Sequence, residues 1–357
     1  MLQGKEGRRV FLKKSVRYSF VVLLVLSCVV HWQSLRNHYG EGEEAGKYYF
    51  FSWNNYKDLH PKAAIVQAER KLEQLEDAAT IQYLLSNYEL NGAEEQIDQF
   101  KGKWQSGYKE IEKLLEDKFL FEKLTMEKLL LHQLRNINSY ESFHQQIKDE
   151  AERMGSVSIF ANEASIHNIE KTREDYGRVE GISLSFVPII TLHTFFQPDA
   201  IDYFIIIFLA MVCLTFVEEK KKGLWQIIYA APKGRGCLGI KRFGILLFTV
   251  FFAVFLFYFS KLLLCWLYFQ VSPFRNNVSF QSLPDFYTFS YPFSIPNVLV
   301  LYYVVKCFGH LFIGCMIWLL LSKANTVSIG IIGMSIFTVI EFSLYTFLRD
   351  SNVFAFF

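Results

Sequence analysis

Three ionisable residues, Lys306, His310 and Glu341, fall inside long apolar stretches of the sequence, where an unpaired charge is costly. At membrane depth such groups pair with one another or line a polar path. Lys306 stands eight residues in from Val298 at one end of its stretch, and Glu341 seven residues in from Leu348 at the end of the next. A short turn holding Lys323 joins the two stretches, so they run antiparallel and their far ends meet the same surface. At 1.5 Å per residue both charges lie about 11–12 Å below that surface. His310 is one helical turn from Lys306 on the same face. The expected chemistry is an ion pair between Lys306 and Glu341, or a polar pocket that includes His310. The alternative is that Lys306 reaches outward alone and Glu341 is protonated.

A second group is a basic loop, Glu218-Glu219-Lys220-Lys221-Lys222-Gly223-Leu224-Trp225-Gln226-Ile227-Ile228, followed by Pro232 and Arg235. Leu224, Ile227 and Ile228 recur at helical spacing, and Pro232 and Gly234 end the run. This is a short amphipathic helix, suited either to an anionic lipid surface or to docking of a cytoplasmic partner.

Nothing in the chain has the form of a catalytic centre. There is no G-x-x-x-x-G-K-[ST] loop to cradle phosphates, and Lys233-Gly234-Arg235-Gly236 is too short to replace one. The six cysteines include no C-x-x-C pair, and no Ser/His/Asp group, metal-ligand spacing or paired carboxylate suggests an enzyme. His132 and His144 read as surface residues of water-exposed helices rather than ligands. No metal, cofactor or nucleic-acid partner is expected.

The elements that must position these residues follow from hydropathy. The 357-residue chain is 52% hydrophobic and 17% aromatic, with a mean hydropathy of +0.18. Residues 36–180 are rich in Glu, Lys and Gln, whereas 182–357 are dominated by Phe, Leu, Ile and Tyr, a split that implies two solvents, water and lipid. A spanning helix needs about 20 apolar residues. Five stretches approach or meet this, at Tyr18–Leu35, Ala200–Val217, Phe243–Phe269, Val298–Leu321 and Val327–Leu348. No small-residue cleavage site follows the first, so it reads as an anchor rather than a signal peptide.

Six basic residues between Lys5 and Arg17 precede the first span, and seven between Lys220 and Arg242 lie between the second and third. The loop at 270–297 has only Arg275. This bias puts the N-terminus (1–17) and the loop 218–242 in the cytoplasm. The first span then occupies 18–35, an extracytoplasmic domain 36–197, and a membrane bundle 198–357. The apolar tail after Asn352 reads as the approach to a further helix.

In the domain at 36–197, Ile65, Ala68, Leu72, Leu75 and Ala79 predict a helix over 61–86 with one apolar stripe. A second helix is expected at 107–135 and a third at 139–154, opened by Ser139. Together they form a hairpin or small bundle whose stripes serve internal packing. The apolar segment 181–190 is read as an interfacial helix in preference to a buried strand.

The basic loop resembles that of bacterial ABC exporter permeases of the second exporter type (ABC-2-like membrane subunits). The likeness rests on Glu219, Gly223, the apolar helix with Leu224 and Ile227, then Pro232, Arg235 and Lys241. The order of one span, a large outer segment and closely spaced spans is also similar. The stretch from Ser158 to Thr172 is similar to the outer segment of some Gram-positive members. The resemblance implies an all-α polytopic protein, with six spans in a complete unit against five counted here. It also implies that the loop seats in a cleft of a separate ATPase subunit, and that a second permease subunit, identical or not, completes the pathway. The expected function is export of a hydrophobic or amphipathic substrate across the cell membrane. The competing expectation is a membrane receptor or assembly factor whose outer helices bind a partner.

Overall fold

Apolar side chains at helical spacing dominate the sequence, and the chain folds accordingly into helices. A computed structural model describes residues 13–87, 103, 113–156, 163–179, 182, 184–197, 200–221, 234–272 and 278–323. In order the helices are α1 (Lys14–Tyr39), α2 (Gly42–Tyr56), α3 (Pro61–Asn87), α4 (Leu120–Ser156), α5 (Glu163–Gly177), α6 (Ile190–Phe196), α7 (Ile201–Lys221), α8 (Gly234–Phe269) and α9 (Ile295–Lys323). Two short 3-10 turns, Phe280–Ser282 and Pro284–Phe286, precede α9. Among the described residues the only extended pairing is an isolated bridge between Ser279 and Ser294.

Three helical stretches are long and apolar enough to cross a membrane: Lys14–Tyr39, Gly239–Phe269 and Ile295–Leu321. A fourth is added if α6 and Ile201–Phe216 count as one broken span. The three contain the expected stretches Tyr18–Leu35, Phe243–Phe269 and Val298–Leu321; the expected Ala200–Val217 overlaps only the broken pair, and Val327–Leu348 lies outside the described residues. Helix α8 starts at Gly234, well before the expected Phe243.

The chain divides into two compact units. Among the described residues the first comprises 13–31, 200–261 and 301–323, and the second 32–197 and 262–300. The second therefore includes more than the single segment 36–197 expected of a separate domain. The connection between α8 and α9, with the adjoining turns of both helices, belongs to it as well.

In the first unit, Ile205, Leu209 and Val212 of α7, Val250 and Phe257 of α8, and Ile317 of α9 are buried. Phe20 of α1 meets Phe208 edge-on, with ring centroids 4.9 Å apart. Lipid supplies no hydrophobic drive between helices, so close packing must hold them. Gly314 contributes to it, since Leu246 and Leu209 lie against the position of its missing side chain. Gly309 instead faces open space. The outer faces are apolar: Val21, Val25 and Val29 of α1, Phe248, Phe252 and Phe255 of α8, and Val305, Phe308 and Phe312 of α9 are exposed. That distribution suits a unit solvated by lipid.

The second unit has a core of its own. Its residues come from α1 (Leu35, Tyr39), α2 (Tyr49, Trp53), α4 (Met126, Leu130), the 189–192 stretch, and the 265–298 region (Phe269, Val278, Phe280, Val298). Helix α3 packs along α4 as an antiparallel hairpin, but the expected second helix over 107–135 is interrupted at 116–119, where the Asp117 carboxylate accepts from the Phe119 amide, and α4 begins only at Leu120. The pairs Glu69–Arg135 (2.8 Å) and Glu76–Lys128 (3.0 Å) fix the register, seven residues up one helix matching seven down the other. Both pairs are exposed, each contributing at most about 1 kcal/mol. Buried Leu75, Ala78 and Ile81 of α3 pack with Leu120 of α4, and these contacts provide the larger share of the packing.

Two further expectations fail for local reasons. Ser139 does not open a helix; α4 runs unbroken from Leu120 to Ser156. The Ser139 hydroxyl donates to the Arg135 carbonyl and that of Ser142 to Ser139, so both are satisfied inside the helix. No Gly or Pro lies between Leu120 and Met154 to interrupt it. The segment 184–189 is neither helix nor strand, but an irregular run partly buried in the second unit. Side chains take the place of a neighbouring strand. Trp53 Nε1 donates to the Phe186 carbonyl (3.1 Å), Gln133 Nε2 to that of Val187 (3.0 Å), and the Ile189 amide donates to Tyr49 Oη (3.1 Å). Buried backbone groups thus keep partners, which the fold requires.

The first turns of helix α2 fit against the end of α8 because their inner residues, Gly42, Ala45 and Gly46, are small. A β-carbon on Gly46 would collide with the Phe269 carbonyl, a backbone atom that has little room to move. Replacing Gly46 by Ala is expected to destabilise the protein by about 1–3 kcal/mol. Thermal unfolding of the purified protein in detergent checks this, and an unchanged midpoint would contradict the packing.

Candidate functional site

Ionisable residues of α7 and α9 meet in the first unit. Asp202 lies in the first turn of α7, where the helix dipole favours a carboxylate. Lys306 Nζ is 2.8 Å from Asp202 Oδ2, and His310 Nε2 is 3.3 Å from Oδ1. His310 Nδ1 lies 2.8 Å from the Lys306 carbonyl; a carbonyl only accepts, so Nδ1 is the donor. The Nε2 contact is close in distance but not aligned as a hydrogen bond. Tyr258 of α8 donates its hydroxyl to Asp202 Oδ1. The Lys306 ammonium also sits over the rings of Tyr258 (5.4 Å) and Tyr302 (5.5 Å). One carboxylate from α7, one hydroxyl from α8 and two bases from α9 therefore form a single network. His310 is buried, whereas the Asp202 and Lys306 side chains are each about a third exposed.

The sequence sets Lys306 and His310 one helical turn apart, and both reach the same carboxylate, Asp202. Glu341, the expected partner, lies outside the described residues. Among the described residues, Asp202 is the acid beside Lys306. The signal was present: a lone carboxylate at the head of an apolar helix. An acid in the first turn of a helix also serves as a dipole partner, so its position alone does not announce an ion pair.

The other predicted site lies mostly beyond description. Glu219 is in the last turn of α7 and Arg235 in the first turn of α8. Gly223, Leu224, Ile227 and Pro232 lie outside the described residues. Lys261, which the sequence suggests would reach out of its span, is buried instead.

The second unit holds a polar cluster of a different kind. Glu127 of α4 is fully buried and accepts hydroxyl protons from Tyr48 (2.9 Å) and Tyr56 of α2. Burial, with the Glu127 charge, pushes both phenols above their usual range, so both remain donors. Lys71 lies over the Tyr48 ring (4.9 Å), and burial pulls its ammonium down from the usual value. This cluster ties α2 to α4 and has no opening to a substrate at the carboxylate. His132 is exposed as expected, but His144 is buried among Tyr140, Phe143 and Tyr176. Among the described residues no group of three or more His, Cys, Asp or Glu side chains is disposed to hold a metal ion.

Comparison with protein-family models, with curated proteins and with solved structures finds no match. The functional reading therefore rests on the chain's own residues.

Substituting Asp202 by Asn leaves Lys306 without its counter-charge and is expected to cost about 1.5–3 kcal/mol, the range for a hydrogen bond to a charged group. Lys306→Met in the same background should recover part of the loss. A double-mutant cycle read by thermal unfolding in nanodiscs measures the coupling. Purely additive effects would mean that the two groups do not interact.

Proposed function

We propose that the chain is the membrane-spanning permease subunit of an ATP-driven ABC exporter in a bacterial cell membrane. A separate ATPase subunit docks on the 218–242 loop. The observation that carries this reading is the shared core of the second unit. Residues between the first and second expected spans, such as Tyr49 and Met126, pack in one cluster with residues between the third and fourth, such as Phe280 and Leu283. Segments that share a dry core must lie on the same side of a bilayer. The chain between them then crosses an even number of times, so if α8 crosses, α7 crosses too.

This parity supports α7 as a span even though its apolar part is short. It also supports placing the loop between α7 and α8 on the side opposite the second unit. The seven basic residues between Lys220 and Arg242 favour the cytoplasm for that loop, and the six between Lys5 and Arg17 favour it for the N-terminus. The segment 36–197 is then extracytoplasmic, and the chain has five spans with Val327–Leu348 as the fifth. A loop on the cytoplasmic side is where an ATPase can reach it. The resemblance at Glu219, Gly223, Pro232 and Arg235 names that class of partner.

The Asp202–Lys306–His310 network supports transport over simple anchoring, since an anchor has no use for three ionisable groups within its spans. A second permease subunit, identical or related, completes the pathway, and the aromatic faces of α8 and α9 suit a hydrophobic or amphipathic substrate. The size of the second unit favours one other reading, a membrane receptor or assembly factor whose outer helices bind a partner.

Co-purification separates the two. With Glu219→Ala or Gly223→Glu, a nucleotide-binding subunit that copurifies with the wild-type chain is expected to be lost, while the chain itself stays in the membrane. An unchanged complex would overturn the docking assignment and favour the receptor reading.

A further inference from the structure

Helix α2 is unusual in exposing large aromatic side chains next to a fully buried aromatic face. Its sequence from Tyr48 runs Tyr-Tyr-Phe-Phe-Ser-Trp-Asn-Asn-Tyr. Tyr49, Ser52, Trp53 and Tyr56 face inward, whereas Phe50 and Phe51 are 42% and 61% exposed. Two adjacent exposed phenylalanines are costly in water, at roughly 25 cal/mol for each Å² of apolar surface left wet.

The place where α2 begins is fixed by the ends of two candidate spans. It starts three residues after α1 ends at Tyr39, through Gly40 with φ +62°, a left-handed turn. The Tyr268 ring, at the end of α8, lies against Gly42, and its hydroxyl donates to the Gly40 carbonyl. The next residue, Phe269, lies with its backbone against Gly46. Trp32 of α1 meets the Tyr268 ring edge-on at 5.1 Å. Trp32 and Trp266 are exposed near these helix ends, where interfacial aromatic residues collect. Residues 42–46 therefore sit at the level where α1 and α8 leave the hydrocarbon.

We propose that α2 is an interfacial helix, lying along the membrane surface with Phe50 and Phe51 in the headgroup–acyl boundary. Phe51 is nine residues from Gly42, about 13 Å along the helix axis. The headgroup zone on one side of a bilayer is only about 5–8 Å thick. A helix standing upright from its first turn would hold Phe51 in water beyond that zone. A helix lying flat keeps it within, where an aromatic edge is stabilised. The occupant of the exposed face is lipid. The inference rests on α1 and α8 crossing the membrane and is independent of any ATPase.

Site-specific photocrosslinking tests it on the full chain, in nanodiscs of phosphatidylethanolamine and phosphatidylglycerol. Phe51 is replaced by p-benzoylphenylalanine, a tolerable change at an exposed position, and Val25, on the exposed face of α1, by the same residue as a reference. Irradiation is expected to give lipid adducts at both positions by mass spectrometry. Adducts at position 25 with none at 51 would overturn the proposal and leave the membrane reading intact. Crosslinks from 51 to a second protein chain alone would overturn it in favour of a protein partner. Adducts at neither position would overturn it together with the membrane reading of α1.

Discussion

The arrangement depends on one hydrophobic core assembled from chain segments that lie far apart in sequence. Leu35, Tyr49, Met126, Ile190, Phe269, Phe280 and Val298 come from both sides of the stretch 200–261, which belongs to the other unit. In water such an assembly would constrain only folding order. For a chain whose intervening helices are built for lipid, it also constrains topology, because a dry core cannot be divided by a bilayer. The core bears on parity alone; which side faces the cytoplasm is proposed from the basic residues.

The core also explains why the second unit needs no sheet and, among the described residues, no disulfide. The partly buried run at 184–189 would leave its amides and carbonyls unpaired in a purely apolar surround, at a cost of about 1–3 kcal/mol each. Tyr49, Trp53, Gln133 and Ser282 supply the missing partners. The same economy governs the first unit, where Asp202, Tyr258, Lys306 and His310 meet one another's charges and polar atoms in a network three helices must meet to form. Breaking one member leaves the others in a poor solvent, which ties the network to the relative placement of α7, α8 and α9.

The helices were legible in the sequence because hydropathy and period are local properties. Lys14–Tyr39 and Ile295–Leu321 are long apolar runs, and the stripe through Ala68 and Leu75 has the 3.6-residue period of a packed helix. What was not legible depends on distant residues. Ser139 looked like a helix start because a serine reads as a cap unless its hydroxyl is known to bond back to Arg135. The membership of 262–300 in the second unit has no local signature. The Lys306–His310 pairing was legible as a one-turn spacing on one helix, whereas Asp202 is more than 100 residues away, and only the packing of α7 against α9 brings it within reach.

The central claim is the proposed orientation, with the loop after α7 in the cytoplasm and the segment 36–197 outside. Cysteine accessibility in intact cells addresses it most directly, using a membrane-impermeant maleimide and the unsubstituted protein as the blank. The account predicts labelling of Lys171→Cys, an exposed position on α5, and none of Lys221→Cys until the cells are opened. Labelling of Lys221→Cys from outside would contradict it, since the basic loop would then face away from any ATPase.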